Sequence, residues 1–219
     1  MPSSVDRSTP RPRIGIVGEI YVRTHTFSNR DLVRQLESLG AEVDLATISE
    51  WMYYTNFTRS RTSWREKAIM LWLANRLKHH VQRRIEHRIA RHFRDFLPNA
   101  LEPDIPDVLK LARPYIHDSF EGEACLSTGK MVEYFLHGCH GLINVMPFTC
   151  MPSTIVAGLM KALTEDLEGI PAISIAYDGQ TDPTLHTRLE AFVHQAEAFR
   201  RSSARHGHHD GRVSAAEMQ

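Results

Sequence analysis

The segment Asn144-Val145-Met146-Pro147-Phe148-Thr149-Cys150-Met151-Pro152 constrains this chain more than any other. Leu142 to Met146 is an apolar run of strand length, and Pro147 breaks it. Pro152 then opens the amphipathic run Ser153 to Leu167, at the place in a helix where a missing N–H is harmless. Strand, tight turn and helix therefore follow one another, with Cys150 in the turn beside the free N–H groups of a helix start. That setting favours thiolate over thiol, the form that attacks electrophiles or binds metal. In open α/β sheets the same edge is where ligands bind. A buried, inert thiol is the competing reading, and the flanking prolines favour a functional Cys150.

The rest of the chain repeats the alternation. Arg13 to Tyr21 reads as a buried strand, Ser28 to Leu39 as a helix stopped by Gly40, and Ala41 to Ile48 as a second strand. Right-handed crossover makes those two strands parallel neighbours. Later come a helix over Gly122 to Leu136, a strand over Gly141 to Met146, and the helix Ser153 to Leu167. A strand over Ile170 to Ala176 and a helix over Thr184 to Phe199 complete the series. Such alternation predicts an α/β fold, one mainly parallel sheet with helices on both faces. Residues 13–200 are expected to form that domain, between a disordered lead-in over 1–12 and a disordered tail over 201–219. His206, His208 and His209 sit in the tail with nothing to anchor them as a metal site. Gly15 and Gly18 lack the third glycine of a dinucleotide fingerprint, so they read as small residues that allow close packing.

A helical insertion is expected over 58–118. Within it, Ile69, Leu73, Leu77, Val81, Ile85, Ile89 and Phe93 repeat at helical spacing, and the segment Ser63 to Leu97 predicts one long amphipathic helix or two with a bend. Its other face carries Arg76, Lys78, His79, Arg83, Arg84, Arg88 and Arg91. Such a face can meet RNA, anionic lipid or cofactor phosphates, but no aromatics are interleaved among the basic residues. A solvated face is the reading we take. The apolar stripe needs a partner surface, in its own chain or another.

Composition closes off several classes. The 219 residues carry a formal net charge of +0, so no global field recruits nucleic acid or an anionic membrane. Three cysteines, Cys125, Cys139 and Cys150, without paired spacing argue against a secreted disulfide scaffold. The start of the chain has no apolar signal-peptide core and no run is long enough to cross a bilayer, which predicts a cytoplasmic protein.

Two further sites stand out. Glu121-Gly122-Glu123 opens a helix, where the helix dipole alone favours acid. Near Cys150, Glu123 could orient a substrate or move a proton. Tyr177-Asp178-Gly179-Gln180 follows the last strand as turn chemistry, on the rim that also holds Cys150. Glu19, Cys150 and Asp178 are therefore expected to face one crevice, with Asn144 and Glu123 contributing.

These residues together carry a resemblance. GEIYVRTHTFSNRDLVRQLESLGAEV (18–43), EGEA (121–124), NVMPFTCMPSTIV (144–156) and AYDGQTDPTLHTRLEAF (176–192) resemble the carboxyl-terminal part of CoA-substrate-specific enzyme activase proteins. That part is similar to the iron–sulfur subunits of 2-hydroxyacyl-CoA dehydratases and benzoyl-CoA reductases. The resemblance implies flavodoxin-like lobes and a 4Fe–4S cluster held by cysteines from more than one lobe. It also implies an ATP-dependent activase that feeds the cluster low-potential electrons. Cys150 matches the family's cysteine in PFTCMP, whereas Cys125 and Cys139 have no clear counterpart. The family's activase domain and amino-terminal cluster lobe have no match here, which implies a split subunit or a remnant, with a companion protein carrying the missing parts.

Three function classes follow. The first is an iron–sulfur subunit with Cys150 as metal ligand, and Cys125 and Cys139 as further ligands only if all three converge. The second is a non-catalytic interaction module, and homodimerisation stays open in either. The third, a thiol nucleophile enzyme, is weaker: His137 and His140 are near in sequence but sit where helix-end histidines usually cap.

Overall fold

A computed structural model describes residues 9–93, 101–180 and 182–205. The chain divides into two compact units, residues 1–46 with 111–219, and residues 47–110.

In the first unit, β1 (Arg13–Gly18), β2 (Glu42–Leu45), β3 (Gly141–Pro147) and β4 (Ala172–Tyr177) form one sheet in the order β2-β1-β3-β4. Every pairing is parallel, with Gly18 opposite Val145 and Pro147 opposite Tyr177. Around it stand α1 (Ile20–Thr24), α2 (Leu32–Ser38), α6 (Glu123–Leu136), α7 (Met151–Asp166) and α8 (Leu185–Arg205). Val17 and Leu142 turn one face of the sheet to Met131, Tyr134 and Phe135 of α6 and to Val156, Met160 and Leu163 of α7. Ile14, Ile16, Ile143, Val145 and Ile175 turn the other face to Leu32 and Leu36 of α2 and to Leu189 and Phe192 of α8. The α/β class, the parallel sheet and the helices on both faces are as the alternation predicts, in the flavodoxin-like order.

Gly15 explains how α6 lies so close. A side chain there would place its Cβ 2.3 Å from Cδ2 of Tyr134, so only glycine admits the ring. Gly18 ends β1 at φ +112, and a Cβ would stand 2.0 Å from the Val145 carbonyl oxygen. The apolar run 13–21 predicts one strand, but at Gly18 the backbone turns and α1 begins. Likewise α8 continues past Phe199 to Arg205, where a disordered tail is expected from 201. There Glu197 accepts from Arg200 Nε and Arg201 Nε, both at 2.8 Å, and supports the added turn. The tail histidines lie outside the described residues.

The second unit is built on α3 (Ile48–Arg65) and α4 (Ile69–Phe93), and α5 (Ile105–Ala112) returns the chain to the first unit. Helix α3 is absent from the sequence reading, and α4 packs on it through polar and aromatic groups. His79 meets Tyr53 edge-on at 5.6 Å, Arg83 lies 5.3 Å from the Tyr53 ring centre, and Asn56 Nδ2 donates to Gln82 Oε1 at 2.6 Å. The Ile69-to-Phe93 stripe lies exposed. Its spacing identifies a common face correctly, but α3 takes a different one.

Candidate functional site

The turn between β3 and α7 carries the central residue. Cys150 N donates to the Pro147 carbonyl at 3.1 Å, which closes the turn Pro147-Phe148-Thr149-Cys150. Thr149 sits at φ +69 within it, a conformation β-branched residues rarely hold, so the surrounding structure sustains local strain beside the cysteine. Cys150 is the N-cap of α7, and its side chain makes no capping bond. The half-buried Sγ lies 3.6 Å from Ser153 Oγ. The thiol therefore stands at the head of a 16-residue helix, just past the carboxyl end of a central strand.

Asn144 holds this turn from below. It is 0% exposed, and Nδ2 donates to the Ser153 carbonyl at 2.9 Å and to Ser174 Oγ at 3.1 Å. Oδ1 has no hydrogen-bond partner among the described residues. The sequence places Asn144 on the crevice rim. The structure corrects that, because the residue is wholly enclosed and acts on Cys150 through the first turn of α7.

Glu19, Glu123 and Asp178 lie on the same edge of the sheet. Glu19 follows β1 and caps α1, its Oε1 accepting from Tyr21 N at 3.1 Å and its Oε2 from Val22 N at 2.8 Å. Glu123 opens α6, which runs antiparallel to the strands and so starts at their carboxyl edge. Burial pushes its carboxyl up to about 7; Arg23 pulls the other way and Glu19 adds to the rise. Glu123 Oε1 has no hydrogen-bond partner among the described residues. Asp178 is exposed just past β4, where its Oδ1 accepts from Gln180 N at 2.8 Å.

Arg23, which the sequence reading missed, is 3% exposed, donates Nη1 to the Gly18 carbonyl at 3.3 Å and lies near Glu123. Nothing local marks an arginine in so short a helix for burial; only the fold brings it near Glu123.

The other two cysteines are both buried. Cys125 is 0% exposed within α6, its Sγ 3.5 Å from the His117 carbonyl oxygen. Cys139 is 1% exposed before β3, at the amino edge, with Sγ 3.8 Å from Asp44 Oδ2. Burial is the main cause that raises its thiol pKa far above the usual range. The seven residues of β3 separate it from the Cys150 edge by roughly 20 Å. Cys139 therefore does not converge with Cys150, and Cys125, in the first turn of α6, is wholly buried with its thiol against the His117 carbonyl. Among the described residues no group of three or more His, Cys, Asp or Glu could hold a metal ion. His137 and His140 also belong to the amino edge: His137 Nδ1 lies 2.9 Å from Glu133 Oε1, and His140 Nδ1 accepts from Arg13 N at 3.0 Å. Neither is placed as a base for Cys150.

Among the described residues no helix is long and apolar enough to cross a membrane. Compared with known proteins, the chain matches no family model, no curated protein and no solved structure.

Proposed function

We propose that this chain is an iron–sulfur cluster-binding subunit, or a fragment of one, in a system similar to the 2-hydroxyacyl-CoA dehydratases and their activases. The observation that carries the reading is Cys150: a half-buried thiol at a helix start on the sheet's carboxyl edge, within the motif on which the resemblance rests. The donor set fits one ligand of a 4Fe–4S cluster and not a complete set, since Cys125 is wholly buried and Cys139 lies buried at the sheet's amino edge. The remaining thiolates then come from outside this chain, from a companion carrying the amino-terminal cluster lobe, and an ATP-dependent activase supplies electrons.

A bound cluster would supply single low-potential electrons to a CoA thioester. This chain's own residues would do the rest. Asn144 and the Pro147–Cys150 turn fix the thiol, and Arg23 and Glu19 set opposing fields at Glu123. Glu123, with its carboxyl near neutrality, can hold or release a proton at Oε1. We assign the protein to the cytoplasm, with neither nucleic acid nor membrane as partner for this activity.

Anaerobic reconstitution with iron and sulfide, alone and with a companion polypeptide, tests the reading through the visible spectrum. Absorbance that depends on Cys150 is expected; its absence under both conditions removes the proposal. The exposed stripe of α4 favours a second reading, a non-catalytic module that docks through this helix. In that case no absorbance develops and a companion binds without iron.

A further inference from the structure

Helices α3 and α4 form an antiparallel hairpin. Trp64 meets Trp72 at 5.4 Å, Asn75 Nδ2 donates to Ser63 Oγ at 3.4 Å, and Asn56 pairs with Gln82 further along. At its closed end Trp64 is 65% exposed, Met70 87% and Leu73 61%, with Ile69 and Leu71 exposed beside them. Each four-residue step advances about 40° around a helix, so Ile69, Leu73, Leu77 and Val81 fan across about 120° of α4. Met70 falls inside that sector, and His80 is its one polar member. Arg76 borders the sector on one side and Lys78 on the other, both exposed. Arg59 and Arg65 on the last two turns of α3, and Lys67 in the bend, are exposed as well. Between Trp51 and Ile85, eight lysines and arginines stand against Glu66 alone.

We propose that the closed end of this hairpin docks on an anionic lipid surface. The Ile69-to-Val81 sector and the Trp64 indole enter the boundary between headgroups and acyl chains, and the bordering cations meet lipid phosphates. An aliphatic sector edged by basic residues is the make-up of a helix that lies in a membrane interface. The long stems of Arg76 and Lys78 let their charged heads reach out of the apolar layer, and an indole favours the same boundary. The chain's formal net charge of +0 is no obstacle, because the attraction acts within about 10 Å and the cations are gathered here. A nucleic acid would match the charge but leave the aliphatic sector in water. A second copy of the hairpin would set cation against cation. A straight partner helix would follow the stripe for only a few turns, since it keeps winding through Ile85, Ile89 and Phe93.

The inference rests on the reading that α4 docks and is independent of the cluster; docking locates the protein and takes no part in electron transfer. The test is co-sedimentation of the full, metal-free chain with vesicles of phosphatidylcholine, alone or mixed with phosphatidylglycerol. Binding to the mixed vesicles should be at least about tenfold the stronger and should weaken as salt rises. Tryptophan emission should shift to the blue on binding, and Trp64→Phe should remove most of that shift. Met70→Glu with Leu73→Glu, and separately Lys67→Glu with Lys78→Glu, should each weaken binding at least about tenfold with an unchanged circular dichroism spectrum. Phe148→Glu, outside this unit, should leave binding unchanged. Equal binding to both kinds of vesicle overturns the proposal, as does binding that survives the hairpin variants. Absence of vesicle binding overturns it too, and two further probes then decide what α4 does. A companion polypeptide whose binding is abolished by Leu77→Glu leaves docking intact with a protein as partner, and a short single-stranded RNA that binds assigns the cations to nucleic acid. If none of the three binds, docking through α4 falls as well.

Discussion

Asn144 Nδ2 donates to the backbone carbonyl of Ser153 at 2.9 Å, tying the middle of a buried strand to the first turn of the following helix. The position of Cys150 depends on that bond, because the turn between strand and helix holds only two other residues past Pro147.

Asn144→Ala removes donors to both Ser153 and Ser174 and leaves a buried carbonyl without its partner. We expect a stability loss of about 1–3 kcal/mol in denaturant unfolding. Ser174→Ala loses one shared bond and should fall short of that. Equal losses in the two variants would show that the Ser153 bond contributes nothing.

The ring of Tyr134 occupies the space above Gly15. Gly15→Ala forces a methyl against it and should destabilise by about 1–3 kcal/mol. Adding Tyr134→Leu should recover part of that loss, so a double-mutant cycle should be clearly non-additive. Strict additivity would refute the contact.

Glu123 holds its proton more tightly in the folded chain, with its carboxyl at about 7 against 4.5 unfolded. Its contribution is therefore complete below pH 4.5, declines as pH rises and is lost above about 7. After allowance for solvent screening of a partly exposed group, the decline is on the order of 2 kcal/mol. Glu123→Gln should flatten that part of the stability–pH curve and be the more stable protein at pH 8. A parallel curve for wild type and variant would argue against the raised carboxyl.

Thiol accessibility differs sharply between the three cysteines. A thiol reagent should modify one residue rapidly in the native protein and all three after unfolding, and Cys150→Ser should remove the rapid phase. Rapid modification of Cys139 would contradict its enclosure at the amino edge.

The sheet was legible because strands buried on both faces read as apolar runs, as in Leu142 to Met146, and because Gly40 and Pro152 mark helix ends. Helix α3 was not. Its buried positions include Glu50, Asn56 and Ser63, so no apolar stripe announces it. In α4 the stripe is real, yet periodicity tells which residues share a face and not what that face meets; the packing through His79, Gln82 and Arg83 could not be read from it. At the site, the turn and its cysteine were legible from Pro147 and Pro152. The enclosure of Asn144 and Arg23 was not, because polar residues acquire burial from elements distant in sequence.

Iron content after anaerobic reconstitution tests the central claim most directly. Wild type, Cys125→Ser, Cys139→Ser and Cys150→Ser should each be loaded with iron and sulfide, with excess small thiol supplying the missing ligands, and then desalted. The account predicts equal iron in the first three proteins, with a visible cluster spectrum, and none in Cys150→Ser. Iron retained in full by Cys150→Ser, or lost equally from all three variants, would contradict it.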